Sequence, residues 1–178
     1  AARVSPGAPA SAAGAAAQAG ARLVLADPLH VAHWGTFVST PSASADSATV
    51  HLSTTVENGS DEHRAFTVQS DILDDAGRVV ASAKASGAAD PRATATLEQT
   101  VALASPRLWS VASPALYTLR TRVLDGAAVR DETLTPFGVR TFAFDPDHGF
   151  TLNGQPMKLK GVCLHADAGG LGLAVPED

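Results

Sequence analysis

An antiparallel β-sandwich is the fold class predicted for this 178-residue sequence, and three observations predict it. Apolar and polar residues alternate with period two in one short run after another, as they do on half-buried strands. The runs are separated by turn chemistry: Glu57-Asn58-Gly59-Ser60, Asp74-Asp75-Ala76-Gly77 and Asp125-Gly126. From Leu23 to Phe137 no stretch carries a sustained 3.6-residue apolar repeat with caps.

Taken in order, residues 1–22 come first: Ala, Gly, Ser and Pro with almost no large apolar side chain. They bury too little to offset ordering entropy and are expected to be an unordered tail. Arg3 is present, but the absence of large apolar residues behind it argues against a signal peptide. Val31 to Thr40 reads as a strand between Pro28 and Pro41. Val50, Leu52, Thr54 and Val56 share one face of the next strand, and Phe66, Val68, Ser70 and Ile72 one face of the third. Gly77 to Ala81 is a short return strand. Ala95, Leu97, Gln99, Val101 and Leu103 alternate, as do Tyr117, Leu119, Thr121 and Val123. Asp125-Gly126 then turns the chain into Val129 to Leu134. Six or seven such strands separated by turns make an antiparallel sandwich over residues 23–136. Tyr117 follows a Pro-containing loop. That is the place of a tyrosine corner, whose hydroxyl bonds nearby backbone, although an ordinary half-buried strand tyrosine fits the position equally.

Past Phe137 the pattern changes. Arg140 to Phe144 reads as a strand, and Phe150 to Leu152 forms a hairpin through Asn153-Gly154 with Pro156 to Leu159. Lys160 to His165 extends this into a further strand, Ala168 to Ala174 is a Gly-rich loop, and Pro176-Glu177-Asp178 suits the first turn of a helix. Residues 137–178 are therefore expected to be a linking hairpin and the opening of a βα unit.

Composition removes several function classes. Hydrophobic residues make up 45% of the chain, but 35 of the 178 residues are alanine, which buries little area. A formal net charge of −5 argues against a nucleic-acid-binding domain. No apolar run reaches the roughly 20 residues of a membrane-spanning helix. A single cysteine rules out an intrachain disulfide scaffold and a Cys-based zinc cluster.

The candidate chemistry is sparse. His30 and His33 are three apart, but on a strand that offset puts them on opposite faces, so no metal site is expected. Cys163 in an apolar strand reads as a buried, inert thiol; a Cys163–His165 nucleophile–base pair would lack an orienting third group. Asn58-Gly59-Ser60 fits both a glycosylation acceptor and a plain turn, and the turn is the preferred reading. Gly169-Gly170-Leu171-Gly172 lacks the spacing of a dinucleotide fingerprint. His165 and Asp167 lie where a strand passes into a loop, the edge at which barrel enzymes place active-site groups. On composition alone they are a solvated loop pair.

Several segments together resemble one family. Asp27-Pro28-Leu29-His30-Val31-Ala32-His33-Trp34-Gly35-Thr36 resembles the start of the central immunoglobulin-like domain of glycoside hydrolase family 2. Leu108-Trp109-Ser110 and Ser113-Pro114-Ala115-Leu116-Tyr117 resemble that domain's loop into its penultimate strand. Phe137-Gly138-Val139-Arg140-Thr141-Phe142, Gly149 to Pro156 and Leu159-Lys160-Gly161-Val162 resemble the family's passage into its catalytic (β/α)₈ barrel. Cys163 to Gly169 is similar to the β-galactosidase branch. The resemblance implies a retaining hydrolase of O-glycosidic bonds, with two barrel glutamates as acid/base and nucleophile. The family's Asn-Glu motif is absent, so no catalytic residue is expected in this chain; Glu57, Glu62, Glu98, Glu132 and Glu177 are not candidates. His165 corresponds to the histidine ending the family's first barrel strand, beside the sugar subsite, and Asp167 to a neighbouring loop position. Ala166 departs from the His often found there.

No cofactor and no metal is implied. The partners implied are a glycoside substrate in the complete enzyme and two missing domains: a jelly roll ahead of Asp27 and the rest of the barrel. The chain is thus expected to be a fragment, inactive alone, with a periplasmic or extracellular location ahead of a cytoplasmic one. A stand-alone β-sandwich binding or structural module is the alternative.

Overall fold

The computed structural model describes residues 2–6 and 21–163, and they contain no helix. The chain divides into two compact units, Asp27–Leu159 and one drawn from its two ends, Ala1–Ala26 with Lys160–Asp178.

In the terminal unit, β1 (Ala2–Pro6) pairs antiparallel with β2 (Ala21–Leu25) in a two-stranded ladder. The sequence leads one to expect no order over residues 1–22. Of that span the structure describes residues 2–6 and 21–22, which lie in this ladder. Residues 157–163 carry no strand, where Lys160 to His165 reads as one from sequence. A strand needs a ladder partner, and past the Met157 N–H donated to Phe150 O no backbone pairing is recorded for this segment among the described residues. The expected loop and helix start after it lie outside the described residues.

The larger unit is the sandwich. Its strands are β3 (Leu29–Ala43), β4 (Ser47–Asn58), β5 (Arg64–Leu73), β6 (Val79–Ala89), β7 (Thr94–Ala104), β8 (Tyr117–Asp125) and β9 (Ala128–Phe137). They form two antiparallel sheets, β3-β4-β7 and β6-β5-β8-β9. β6 is longer than Gly77 to Ala81, because its small residues Ala, Ser and Gly alternate without a hydrophobic signal. The hairpin strands β10 (Phe142–Asp145), β11 (Gly149–Leu152) and β12 (Gln155–Pro156) form a third small sheet. The hairpin shares one unit with the sandwich, although the sequence places a boundary after residue 136. Fully buried Val139 belongs to the sandwich core, and its carbonyl accepts from Trp109 N–H at 2.8 Å.

Inward-facing residues form two apolar clusters. One gathers Val50, Leu52, Ile72, Val101, Leu103, Tyr117, Leu119 and Val139; the other Leu29, Val31, Val56, Phe66, Val68 and Val123. Between them each of four strands contributes one buried polar residue: Thr54, Ser70, Gln99 and Thr121. Ser70 donates its hydroxyl to Gln99 Oε1 at 2.6 Å, and Gln99 Nε2 donates to Val68 O at 3.2 Å, tying the two sheets together. A satisfied polar pair in a low-dielectric interior fixes relative position as well as adding stability.

Tyr117 is a tyrosine corner: its hydroxyl accepts from Arg107 N–H, ten residues upstream, at 2.9 Å. Tyr117→Phe leaves that N–H without its partner. It should lower the urea midpoint by the equivalent of about 1 kcal/mol at unchanged denaturant slope.

Asn58 is fully buried, and its amide nitrogen donates to the carbonyls of Glu62, Ala89 and Asp90. Its Oδ1 accepts from the Ser60 backbone and hydroxyl. These contacts from Ser60 back to Asn58 are those of a turn, the preferred reading of Asn58-Gly59-Ser60.

Candidate functional site

His165 and Asp167, the substrate-contact candidates, lie outside the described residues. The histidines three apart are separated as expected. His30 is buried, with Nε2 3.7 Å from Glu57, while His33 is exposed and stacks on Trp34 with centroids 5.2 Å apart. Among the described residues no three His, Cys, Asp or Glu side chains converge on a common point. Cys163 is exposed rather than buried, which corrects the reading from sequence. Its segment has no ladder partner among the described residues. Glu98 is held on the outer face of its sheet by Ser53 at 2.7 Å and His51 at 3.3 Å.

What the described residues do assemble is an aromatic groove where the hairpin meets the sandwich. Trp109 sits in the loop before β8. Gly138 lets the chain pass directly beneath it: a Cβ at 138 would lie 2.7 Å from Trp109 Cβ and Cγ. Asn153 braces the far side. It takes the left-handed conformation (φ 50°) that Asn tolerates, donates Nδ2 to Trp109 O at 2.9 Å, and accepts from Thr141 N–H at 3.0 Å. Arg140 then lays its guanidinium over the Trp109 ring, 4.9 Å from the centroid.

Cross-strand pairing aligns Phe144 with Phe150, and their rings meet at 5.0 Å; Phe142 stands edge-on to Phe144 at 6.3 Å. With Met157 and Leu159 these rings line a groove of about 400 Å³. Phe144 keeps 70% of its surface exposed. The hairpin turn is pinned by Asp145. Its carboxyl lies below the ordinary range because it accepts from the His148 backbone, then the His148 ring and the Asp147 backbone.

Gly138→Ala should cost about 1–3 kcal/mol, because a methyl is forced into a filled space. It should also move Trp109 off Arg140. Tryptophan emission read alongside thermal unfolding checks both effects.

Among the described residues the groove's lining holds no nucleophile with a base and no paired carboxylates. Its chemistry is that of a surface that buries aromatic area around a cation.

Comparison with known proteins places the chain. Residues 30–140 match the model of "Glycosyl hydrolases family 2". The chain belongs to glycoside hydrolase family 2. It is 43% identical over 148 residues to the β-galactosidase BoGH2A of Bacteroides ovatus, an alignment covering 83% of this chain and 17% of that protein. A crystal structure of a family 2 member from Bacteroides cellulosilyticus superposes with a TM-score of 0.79 at 36% identity. That match covers 85% of this chain and 21% of the other. The β-glucuronidase of Bacteroides uniformis superposes with a TM-score of 0.74 at 27% identity, covering 84% and 19%. The chain therefore spans 17% to 21% of these three proteins, and the residues matched by the family model lie within the sandwich unit.

Sequence reasoning did not single out the groove or Trp34. Trp34 sits at a register break in β3 with φ 55° and 89% of its surface exposed. The only sequence signal for it was the Trp-Gly pair. The Gly35 backbone passes so close to the Thr55 carbonyl that a Cβ would lie 2.6 Å away.

Proposed function

We propose that this chain supplies the immunoglobulin-like scaffold domain of a retaining glycoside hydrolase of β-galactosidase type. The observation that carries this is the 43% identity to a β-galactosidase, spread over 83% of this chain but only 17% of that enzyme. In this reading the two glutamates needed on either side of the glycosidic bond come from other parts of the complete enzyme. His165 and Asp167 contribute to the sugar subsite, and the sandwich holds the catalytic domain in place. The kinship to a β-glucuronidase supports a second reading, in which the sugar carries a carboxylate.

The test compares the 178-residue chain with the complete enzyme on nitrophenyl β-galactoside and nitrophenyl β-glucuronide. The expected result is turnover of the galactoside by the complete enzyme and none by the chain alone. Turnover by the chain at rates usual for enzymes, ~1–10³ per second, overturns the scaffold role. Preference for the glucuronide establishes the second reading. Absence of turnover on either sugar favours a binding or structural module.

A further inference from the structure

We propose that the bulge in β3 presents Trp34 and His33 as a platform for a neutral sugar ring, whose hydroxyls meet the outward face of β3-β4-β7. The proposal rests on the glycoside hydrolase reading and adds to it a carbohydrate-binding surface on the sandwich itself.

Three observations carry it. First, the backbone enforces the display of Trp34. Val31 pairs with Val56 and Thr36 with Thr54, so residues 32–35 stand opposite Thr55 alone. Bulges re-aim the side chains they carry. The bulge is pressed onto β4, since a Cβ at Gly35 would meet Thr55 O at 2.6 Å and Ala32 O at 2.8 Å. Trp34 takes a left-handed φ of 55°, which a bulky side chain adopts only under constraint. Packing in the sandwich offsets little of that strain, because the ring is almost wholly in water. Strain held at an exposed aromatic ring is the mark of a group kept for binding.

Second, the platform is flat and already assembled. The His33 ring stacks on Trp34 with centroids 5.2 Å apart and planes 26° from parallel. The negative face of an aromatic ring attracts the polarised C–H groups on the flat side of a pyranose. Rings that are stacked beforehand lose little freedom when a ligand arrives.

Third, the neighbouring face offers hydroxyls and a carboxylate and carries no cation. Across from the bulge, Thr55 and Thr96 share a hydrogen bond of 2.8 Å. On the next rung Phe37, Ser53 and Glu98 align, with Phe37 exposed. Ser53 donates to Glu98 Oε1, and the half-exposed carboxylate keeps lone pairs free for sugar O–H donors. Strands β3, β4 and β7 contain no Lys or Arg, and their fixed charges are Glu57 and Glu98. Such a face disfavours an anion, so it selects a neutral sugar over a uronic acid. A protein partner would instead be met by an apolar centre with a polar rim.

Nuclear magnetic resonance of the 178-residue chain tests the proposal, with methyl β-galactoside and methyl β-glucuronide as probes. The chain has two tryptophans, so it gives two indole N–H resonances, and the one lost in Trp34→Gly belongs to Trp34. The galactoside should shift that resonance saturably and leave the Trp109 resonance in place. The glucuronide should bind about tenfold more weakly, and Trp34→Ala should weaken galactoside binding by about the same factor. Trp34→Tyr, which keeps a ring, should retain binding. Trp34→Gly should unfold at a urea concentration no lower than the parent's, because glycine accepts the positive φ without strain. A lower midpoint makes Trp34 a structural residue and overturns the proposal. Equal binding of the two sugars overturns it as well. So does a Trp34 resonance that moves with protein concentration and not with sugar, because the ring then meets a second copy. Hydrolysis of nitrophenyl β-galactoside by the complete enzyme keeps the two readings apart. Hydrolysis without a sugar-induced shift removes the platform alone. A shift without hydrolysis removes the enzyme reading alone.

Discussion

Asp71→Ala should lower the free energy of unfolding by about 3 kcal/mol, toward the low end for breaking a buried charge cluster. Asp71 lies on the outward side of β5, yet its side chain is only 4% exposed, because Arg120 and Arg122 of the adjacent strand fold over it. Both guanidiniums donate to Oδ2, at 2.9 and 2.7 Å, while Ser82 and Gln69 donate to Oδ1. Removing the carboxylate leaves two like charges side by side on one strand face. The cost stays at the low end because the arginine side chains are 28% and 24% exposed, so water takes up part of the lost interaction. Urea unfolding measures the loss. Adding Arg120→Met and Arg122→Met to Asp71→Ala should recover most of it, since an uncharged cluster has no unpaired charge left to solvate.

The same cluster predicts a pH dependence. Burial alone would raise the Asp71 pKa. The hydrogen bonds from Ser82, Arg120, Gln69 and Arg122 outweigh it and lower the value to about 2. The unfolded chain, with an ordinary aspartate pKa near 3.9, binds the proton more readily than the folded one. The contribution is therefore fully present above about pH 4 and is lost as pH falls toward 2. In Asp71→Ala this part of the acid limb should vanish from a plot of urea midpoint against pH. A limb identical to that of the parent would show that other carboxylates control it.

Leu119→Ala is the second large effect, about 2–5 kcal/mol. Leu119 is fully buried, paired in register with Ile72, and belongs to the cluster that also holds Leu52, Val101 and Tyr117. Contributions from both sheets surround it, so the site has little freedom to collapse around a missing isobutyl group. Leu116, three residues earlier in the preceding loop, is 52% exposed and provides the control: Leu116→Ala should stay within about 0.5 kcal/mol of the parent. A loss at Leu119 no larger than that at Leu116 would contradict the packing described above.

The sandwich was legible because its strands announce themselves locally. The faces Val50-Leu52-Thr54-Val56 and Tyr117-Leu119-Thr121-Val123 are the buried faces of β4 and β8, and Asp125-Gly126 is the turn between β8 and β9. Each apolar run also carried one polar member: Thr54, Ser70, Gln99 or Thr121. That these four fall in one layer is a matter of register between strands far apart in sequence, and period-two alternation within a strand says nothing about it. β6 was cut short for a related reason, since Ala, Ser and Gly bury surface without marking a face. The groove was illegible because its parts, Trp109, Arg140 and Phe150, come from three segments joined only by folding. Exposed aromatics on a hairpin look in sequence like any half-buried strand. The exposure of Cys163 is not legible in its apolar run, because burial of a strand also needs neighbours.

The engagement of Asn58 and Asn153 has a consequence for chemical ageing. Both precede glycine, the pairing most prone to spontaneous loss of ammonia, in which the following backbone nitrogen attacks the side-chain amide carbon to close a five-membered imide. That attack requires the amide to swing free. At Asn58 it is held by three carbonyls, and the attacking Gly59 nitrogen is itself committed to Pro28 O at 2.7 Å. At Asn153 the amide spans Trp109 and Thr141. The side chains of both Asn-Gly sites are thus held by the folded structure. Aspartate accumulating at either position in stored protein records the time a molecule has spent unfolded.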